Sequence, residues 1–443
     1  MPRVSFYTLG CKLNFAETST LERAFEQQDF GVVPFGEAAD VTVVNTCTVT
    51  NEAERKCRNI IRRALRANPD AFVIVTGCYA QLRPNELADI DGVDVVLGSD
   101  EKFRLFQLVE EFSKREKTQI SVSCIDDAAG FGAAFSANDR TRAFLKIQDG
   151  CDYRCAFCTI PLARGKSRSQ PIEGTLAQAH EIAERGFREI VLTGVNIGLY
   201  GEDHGATLLD LLRRLDRVDG IERYRISSIE PNLLTNEIID FVGASDRFQP
   251  HFHLPLQSGD DYVLGNMRRR YRRDVYEDRV ARIVDRMPYA GIGADVIVGF
   301  PAEGKEHFEN GYRFINDLPV TYLHVFTYSE RPDTAAVDNL EKMGGERVPK
   351  PERSRRGKML RILSKKKEEA FYRRHLGDTR DVLWEDADRH GSMLGYTDNY
   401  VRVEAPYDAE RTGVVEPVRL DSMSDHGTVL AAATAFIPVA SVA

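Results

Sequence analysis

Short apolar runs alternate with longer amphipathic stretches along the first 122 residues of the chain. A short apolar run predicts a buried strand, and apolar residues spaced three or four apart predict a helix. The predicted strands cover residues 4–9, 41–44, 72–75 and 93–97, and the predicted helices cover 14–28, 51–67, a segment from Pro84, and 101–117. Regular alternation of strand and helix predicts a doubly wound parallel α/β domain over residues 1–122.

A second series of strand and helix units follows residues 123–141, which have no periodicity and predict a linker. Within residues 142–375, six predicted strands alternate with helices, and the strands lie at 144–148, 189–193, 224–227, 251–256, 294–298 and 322–328. Six units are too few for a closed eight-stranded barrel.

The pattern changes again after residue 375. Five short strands separated by Gly, Asp and Pro turns lie at 381–384, 393–397, 400–404, 414–420 and 428–432. They predict a small antiparallel β-barrel of the OB-like kind over residues 376–443, a common platform for nucleic acids. The tail at 428–443 is shorter than the roughly 20 residues that a membrane span needs, so we expect a last strand and a frayed end.

The composition, with 42% hydrophobic and 29% charged residues, is that of a globular protein. The first residues read as a strand and lack the pattern of a signal peptide, so we expect a cytoplasmic protein without a membrane segment. Eight cysteines in such a chain indicate metal or redox chemistry rather than a disulfide framework.

The net charge of −9 argues against nucleic acid, but the distribution of charge argues for it. Residues 347–374 contain twelve basic and three acidic side chains, and residues 268–273 contain five arginines around Tyr271. Such runs are either solvated faces or footprints for phosphates. On the second interpretation the RNA-binding candidates are Arg268, Arg269, Arg270, Lys365, Lys366 and Lys367.

Three cysteines, Cys151, Cys155 and Cys158, lie closely spaced in a loop that follows a predicted strand. Clustered thiolates are soft ligands that select zinc, copper(I) or an iron-sulfur cluster. Structural zinc sites and electron-transfer cubanes usually take four protein ligands, so three thiols would leave one metal position open. A zinc site or a chance group of core thiols is the alternative.

Another three cysteines, Cys11, Cys47 and Cys78, each follow one of the first three predicted strands of the N-terminal domain. In a parallel sheet these strand ends share one edge, where ligands bind. We therefore predict a second metal site there, with ordinary buried core cysteines as the alternative. Cys57 and Cys124 are not at strand ends, and we expect neither to be a ligand. We expect His251 and His253 to pack in the core rather than to bind metal.

The first trio, with Phe157 before its last cysteine, resembles the C-x3-C-x-aromatic-C motif of the radical S-adenosylmethionine (SAM) superfamily. The resemblance implies a six-stranded partial (β/α) barrel over residues 142–375 and a 4Fe-4S cluster whose fourth iron is chelated by SAM. It also implies SAM-binding positions in the motif and at the strand ends, namely Phe157, Gly194, Asn196, Ser228, Glu230 and Val298. It implies no catalytic residue beyond the clusters.

Together, the three predicted domains resemble the methylthiotransferase family, in which the small C-terminal barrel is a TRAM domain. The resemblance implies that Cys11, Cys47 and Cys78 bind an auxiliary 4Fe-4S cluster that carries sulfur. Residues 8–14 with Glu17, and residues 142–151, are most similar to the branch that modifies carbon 2 of N6-threonylcarbamoyladenosine next to the anticodon of tRNA.

The partners implied by this resemblance are a tRNA anticodon stem-loop, a low-potential electron donor and a sulfur source. Two other substrates remain open for the same chemistry: N6-isopentenyladenosine in tRNA and an aspartate of a ribosomal protein. A non-catalytic iron-sulfur protein that binds RNA is the alternative from another class.

Overall fold

The computed structural model describes residues 1–128, 130–137, 141–341, 346–386 and 391–432. Its N-terminal part is a six-stranded parallel sheet. Its strands are β1 (Arg3–Thr8), β2 (Gly31–Val33), β3 (Val41–Thr46), β4 (Phe72–Gly77), β5 (Val95–Leu97) and β6 (Gln119–Ser121), in the order β2-β1-β3-β4-β5-β6. The helices are α1 (Lys12–Glu26), α2 (Asn51–Ala67), α3 (Cys78–Leu82), α4 (Pro84–Ala88) and α5 (Leu105–Leu108). Val43 and Val44 belong to separate apolar cores on the two faces of the sheet, which confirms the doubly wound fold.

The helix predicted for residues 101–117 is wrong beyond the short α5, and the chain instead runs extended into β6. The Lys114 ammonium donates to the carbonyl oxygens of Ala71 (2.9 Å) and Gly92 (2.7 Å) and pairs with the Asp94 carboxylate (2.9 Å). These contacts hold the segment along the sheet, so β6 pairs with β5 instead of continuing a helix. The two edge strands β2 and β6, of three residues each, were not predicted.

The middle of the chain forms two parallel three-stranded sheets that lie side by side. The strands are β7 (Arg142–Lys146), β8 (Gln148–Asp149), β9 (Arg168–Ser169), β10 (Glu189–Thr193), β11 (Arg223–Ile226), β12 (His251–Gln257), β13 (Gly291–Val298) and β14 (Tyr322–Thr327). One sheet has the order β11-β10-β7 and the other β12-β13-β14, with single bridges such as Ser228 to His253 between them. This arrangement confirms the open six-stranded partial barrel; β8 and β9 form a small separate ribbon.

Helices cover the outside of this partial barrel, as the alternating sequence pattern predicts. They are α6 (Ile160–Arg164), α7 (Ile172–Glu184), α8 (Leu208–Leu215), α9 (Asn236–Val242), α10 (Asp261–Asn266), α11 (Arg273–Arg286), α12 (Lys305–Asp317) and α13 (Ala335–Asp338). A long helix, α14 (Lys350–Arg374), then packs beside β14, where the Ser364 hydroxyl accepts from the Leu323 amide (2.8 Å).

The C-terminal part is a closed five-stranded barrel. Its strands are β15 (Thr379–Trp384), β16 (Ser392–Thr397), β17 (Arg402–Pro406), β18 (Val415–Met423) and β19 (Val429–Ala431), in the order β15-β16-β17-β19-β18. Phe371 and Tyr372, near the end of α14, pack into the same core as the buried Trp384. The frayed end that we predicted after the last strand lies outside the described residues. Within the described ranges, no helix has the length and apolar character to cross a bilayer.

Candidate active site between the two cysteine trios

Cys151, Cys155 and Cys158, here called the barrel trio, occupy the loop between β8 and α6. Gly150 begins this loop with a φ of +70°, and a Cβ there would lie 1.9 Å from the carbonyl oxygen of Lys166, so only glycine fits. The Arg269 guanidinium donates to the Cys155 sulfur at 3.1 Å. Burial raises the pKa of Cys151 to about 11 and that of Cys158 to about 12.

Cys11, Cys47 and Cys78, here called the N-terminal trio, follow β1, β3 and β4, whose ends share one sheet edge. A Cβ on Gly10 would lie 3.3 Å from the Cys47 sulfur, so the first two cysteine loops touch. Burial, with contributions from the thiolate charges of Cys78 and Cys11, raises the pKa of Cys47 to about 12.

Side chains from neighbouring strand ends tie these three loops together. The Asn14 amide donates to the carbonyl oxygens of Leu9 (2.7 Å) and Thr46 (3.1 Å). The Thr46 hydroxyl in turn donates to the carbonyl oxygen of Thr76 (2.5 Å). Cys57 is buried beside the trio, where its thiol donates to the Cys47 carbonyl oxygen (3.4 Å).

The chemistry of both trios fits iron-sulfur clusters. All six sulfurs are free thiols, and the raised pKa values mean that burial keeps most of them protonated unless a cation is present. Only the thiolate is a metal ligand, so metal binding would offset the cost of charging these buried groups. Each trio supplies three sulfurs, which leaves one position of a four-iron cluster without a cysteine.

A buried ionic network joins the domains that carry the two trios. Glu17 of α1 accepts from Lys102 (2.5 Å), Lys146 (3.0 Å) and Arg164 (2.9 Å), and Arg164 also reaches Asp149 (3.0 Å). Burial opposes ionisation of Glu17, but the three cations outweigh it and hold its pKa well below the ordinary value. The network contains three cations and two carboxylates, so it has one positive charge in excess.

Arg164 connects this network to both trios. It ends α6, the short helix that begins two residues after Cys158. Its second amino group donates to the Asn14 side chain (2.7 Å) in the N-terminal domain. Burial raises the pKa of Cys78, and the positive charge of Arg164 opposes that rise. The excess charge of the network therefore lies beside the N-terminal trio, where thiolates would bring negative charge.

Two cavities lie at the mouth of the partial barrel. The larger, of about 590 Å³, has Cys11 and Lys12 on one wall and Thr193, Ser227 and Tyr400 on others, so all three domains contribute to it. The smaller, of about 280 Å³, is lined by Phe157, Cys158 and Gln257, among others. Asp295 and Phe326 line both cavities and lie between them.

Unpaired polar atoms at the strand ends indicate that these cavities hold a ligand. The side-chain oxygens of Thr193, Ser227 and Gln257 are buried and have no hydrogen-bond partner within the described ranges. Both polar atoms of the Asn196 side chain, which is next to this strand end but lines neither cavity, are also buried without such a partner. An unsatisfied buried polar atom costs about 1–3 kcal/mol, which a bound SAM could remove.

The residues predicted to bind SAM lie in different surroundings: some line a cavity, one lies beside the barrel trio and one packs in the core. Gly194 and Ser228 line the larger cavity, and Phe157 lines the smaller one. The Glu230 carboxylate is bonded to Arg269 beside the barrel trio. The Val298 side chain packs in the core, and the role of this residue in SAM binding stays a prediction. The neighbouring Ile297 lines the smaller cavity, because side chains alternate along β13.

Two residues predicted to contact RNA, Arg269 and Lys367, bond other groups of the protein, and their roles in RNA binding stay predictions. Arg269 is buried, with only 8% of its surface exposed, and bonds Glu230 and Cys155. Lys367 is half-buried and donates to the carbonyl oxygens of Asn316 and Leu318, which end α12. In contrast, four predicted contacts have exposed side chains: Arg268, Arg270, Lys365 and Lys366.

A group of cavity residues was not predicted, because its members are far apart in sequence. The Arg225 guanidinium donates to the carbonyl oxygens of Thr397 and Asp398 (both 2.7 Å) in the C-terminal barrel. Tyr400, from the same turn, adopts a left-handed backbone with a φ of +75° and stacks on His251 with ring centroids 4.1 Å apart. A positive φ in a bulky residue is a strained conformation that is common at functional sites.

Two histidines and a carboxylate lie together in the larger cavity. One Asp295 oxygen accepts from His253 (2.9 Å) and His324 (3.1 Å), and the other His253 nitrogen faces the Ser228 hydroxyl (2.7 Å). Burial opposes ionisation of Asp295, but these two hydrogen bonds lower its pKa. The three groups are close enough to ligate an ion, since their ligand atoms lie within 4.8 Å of one another. Our prediction that His253 serves packing stays a prediction.

Comparison with known proteins identifies the family. Residues 3–98 match the Uncharacterized protein family UPF0004, and residues 145–315 match the Radical SAM superfamily. The chain is 40% identical over 405 residues to the threonylcarbamoyladenosine tRNA methylthiotransferase MtaB of Aquifex aeolicus, covering 91% of this chain and 96% of that protein. It is 39% identical to the Bacillus subtilis protein of the same name, covering 95% and 94% of the two chains.

A solved structure with a related fold is the radical SAM methyltransferase TsrM of Kitasatospora setae. Its TM-score is 0.56 at 16% identity, covering 76% of this chain and 77% of that chain, so it supports the fold alone. The family implies an enzyme with a 4Fe-4S cluster and SAM. From its domains and its relatives over almost the whole chain, this protein belongs to the methylthiotransferase family of radical SAM enzymes.

Proposed function

We propose that this protein transfers a methylthio group to carbon 2 of N6-threonylcarbamoyladenosine, next to the anticodon of tRNA. The observation that carries the proposal is the larger cavity, which has Cys11 on one wall and the barrel strand ends at Gly194 and Ser228 on another. Cys158 of the barrel trio lines the smaller cavity, so a site for radical generation and a site for sulfur donation would open onto neighbouring cavities. The names of the relatives at 40% and 39% identity support the choice of substrate.

The reaction requires cofactors, because carbon 2 of an adenine carries an unactivated C–H bond that acid–base groups do not break. When bound, SAM and two 4Fe-4S clusters supply the radical that removes the hydrogen and the sulfur and methyl group that replace it. We assign the barrel trio to the cluster that meets SAM and the N-terminal trio to the auxiliary cluster. A low-potential electron donor and a sulfur source are the partners that the reaction requires.

The chain's own residues would hold SAM at the strand ends. We assign Asn196 and Ser228 to its polar groups, since the Asn196 side chain is buried without a described partner. Gly194 fits between Ile197 and Gln148, where a Cβ would lie 2.7 Å and 2.8 Å from their side chains, and its backbone lies on the cavity wall within reach of SAM. Phe157 packs edge-on against Phe300 and would shield the cluster from water. Glu230 would act indirectly, by holding Arg269 against Cys155.

The base would enter the larger cavity after leaving its stack in the anticodon loop. Its aromatic wall is formed by His251, Tyr322 and Tyr400, and the rings of His251 and Tyr400 stack with centroids 4.1 Å apart. Such a wall offers a surface on which a purine can stack. Walls from three domains also exclude water from the reacting atoms.

We further propose that RNA is held by basic residues outside this cavity. Lys365 and Lys366 on α14, and Arg268 and Arg270 beside the barrel trio, have exposed side chains. The C-terminal barrel would act with α14 as a TRAM domain. Contacts of this kind reach phosphates, so they set affinity rather than the choice of base.

Mass spectrometry of tRNA nucleosides tests the proposed reaction. The anaerobically reconstituted enzyme is incubated with SAM, a reductant and tRNA from cells that lack the gene. We expect 2-methylthio-N6-threonylcarbamoyladenosine to appear and N6-threonylcarbamoyladenosine to decrease by the same amount. A methylthio product on isopentenyladenosine would assign the enzyme to the other tRNA branch, and no nucleoside product would exclude tRNA as the substrate.

A further inference from the structure

Lys12 is the cation of the larger cavity that has no counter-charge. It lies on the cavity wall between Cys11 and Leu13, and its side chain is exposed to the cavity. No hydrogen bond or ion pair joins it to any residue in the described part of the chain. By contrast, Arg225 bonds Glu189 (2.8 Å) and Arg142 bonds Glu385 (2.9 Å).

The local structure does not explain a lysine at this position. Lys12 is the first residue of α1, a 15-residue helix without an acidic residue in its first turn. The amide dipoles of a helix repel a cation at the N-terminus and attract an anion. Lys12 and the start of α1 therefore favour the same kind of ligand, a negatively charged group in the cavity.

The electrostatics of the cavity agree with this interpretation. Burial alone would raise the pKa of the Tyr400 hydroxyl, but the net shift is downward because of three nearby cations, Arg142, Lys12 and Arg225. The same wall carries the stacked rings of His251 and Tyr400. The cavity thus combines an aromatic surface for a planar base with an unpaired positive charge.

We propose that Lys12 binds the carboxylate of the threonyl group on the N6 nitrogen of the substrate adenosine, and so selects this nucleoside over adenosines with an uncharged N6 substituent. The proposal rests on the proposed function. An ammonium that meets a carboxylate forms a charge-assisted hydrogen bond, which is about twice as strong as a neutral one. Truncating such a contact changes affinity by about 10- to 100-fold.

Other anions in the reaction have similar chemistry, and the test must separate them. The carboxylate of SAM, a phosphate of the RNA and the thiolate-ligated cluster at Cys11 could each meet an ammonium. Three RNA stem-loops provide the separation, identical except for the N6 group of the target adenosine. The first carries the threonylcarbamoyl acid, the second its methyl ester, which has nearly the same shape without the charge, and the third an isopentenyl group.

The experiment measures kcat/KM for the three RNAs with the reconstituted wild type, Lys12→Gln and Lys12→Arg. We expect the wild type to prefer the acid over the ester by about 10- to 100-fold and Lys12→Gln to reduce this ratio to near one. Lys12→Arg, which keeps the charge, should recover part of the preference. RNA binding measured without SAM and reductant should show the same loss of discrimination. The control Lys305→Gln, a lysine on the outer surface with 85% of its side chain exposed, should leave the ratio unchanged.

Several results would overturn the proposal. Equal losses on acid and ester would assign Lys12 to a phosphate. Slower 5′-deoxyadenosine release without RNA would assign it to SAM, and loss of iron from the N-terminal trio would assign it to the charge of the cluster. If the wild type instead modifies only the isopentenyl RNA, the proposed function itself is wrong, and the wild type alone reveals this.

Discussion

The barrel trio comes from one loop at residues 151–158, whereas the N-terminal trio is assembled from three strand ends at residues 11, 47 and 78. Chain connectivity alone keeps the barrel cysteines close together. The N-terminal cysteines meet only when β1, β3 and β4 pair in register and the Asn14 and Thr46 side chains tie their ends together. The comparison shows that one site is specified locally and the other by tertiary structure.

The two trios also differ in the charge beside them. A single guanidinium, Arg269, contacts the barrel trio at Cys155 and is held by Glu230. The N-terminal trio instead lies beside Arg164, which belongs to the five-residue network around Glu17. The barrel trio thus has a cation from its own domain beside it. The N-terminal trio is instead coupled to the ionic network between two domains.

Removing each trio in turn should have the largest effect. Replacing Cys151, Cys155 and Cys158 by Ala should lower the iron content from about eight to about four per chain and abolish 5′-deoxyadenosine release. Replacing Cys11, Cys47 and Cys78 by Ala should also remove about half of the iron, but SAM cleavage should remain while methylthio product is lost. Iron analysis and chromatography of the nucleosides measure these outcomes.

The exposed Cys124 provides the control for both triple variants, and Cys124→Ala should keep all of the iron. Circular dichroism should accompany the assays, since loss of a buried metal site can unfold its domain. Methylthio product from the variant without the N-terminal trio would refute the division of labour between the two sites.

Breaking the network should have the next largest effect. Glu17→Gln leaves three buried cations with one carboxylate, so we expect it to reduce the free energy of unfolding by about 3–5 kcal/mol. Arg164→Met should cost less, because two cations and two carboxylates remain. Urea unfolding at neutral pH measures both variants. Glu52→Gln, at an exposed pair with Arg55 that solvent screens, should leave stability almost unchanged.

The pH dependence of the stability difference between the wild type and Glu17→Gln tests whether that difference is electrostatic. The pKa of Glu17 is lowered in the folded protein from an ordinary value of 4.5, so its stabilising charge is fully present above about pH 4.5. The charge is lost as the pH falls through the folded pKa. The gap between wild type and Glu17→Gln should therefore narrow below pH 4.5, and a constant gap would mean that Glu17 acts through packing.

The single cation beside the barrel trio should have a smaller effect. Arg269→Met removes a charge-assisted hydrogen bond to Cys155, which we expect to slow reductive SAM cleavage about tenfold. Arg268→Met changes the exposed neighbour and should leave cleavage unchanged when no RNA is present. Equal rates for the two variants would show that the guanidinium contact does not tune the cluster.

The smallest effect should come from residues outside both trios. Lys365→Gln with Lys366→Gln should reduce the salt slope of tRNA binding by about 1 to 2, because two phosphate contacts are lost. SAM cleavage should not change. Lys367→Gln should leave the salt slope as it is, since that ammonium already bonds two carbonyl oxygens. If the wild type, the double variant and Lys367→Gln had the same salt slope, RNA binding would instead be assigned to the surface around Arg268 and Arg270.

Features that depend on neighbours in sequence were predicted well. The strands, the order of the domains' folds and the strand-end cysteines follow from local patterns, and the structure contains them. The phase of β13 could not be predicted, because a continuous apolar run does not tell which of Ile297 and Val298 faces the cavity, and the structure places Ile297 there.

Features that depend on distant partners were not predicted. Arg269 stands in a run of arginines and was interpreted as a surface residue, but its partners Glu230 and Cys155 are 39 and 114 residues away. Arg225 and Tyr400 meet only because the C-terminal barrel docks on the partial barrel. No local charge pattern carries such information.

The contacts of Arg225 with Thr397 and Asp398 also mean that one wall of the larger cavity is added after the other parts of the site. During synthesis, domains generally fold in sequence from the N-terminus. All six cysteines of the trios have been made by residue 158, whereas the turn that carries Tyr400 follows more than 200 residues later. The nascent chain therefore contains both trios while the larger cavity still lacks the wall that Tyr400 forms. That cavity is complete only after the ribosome has synthesised the C-terminal barrel.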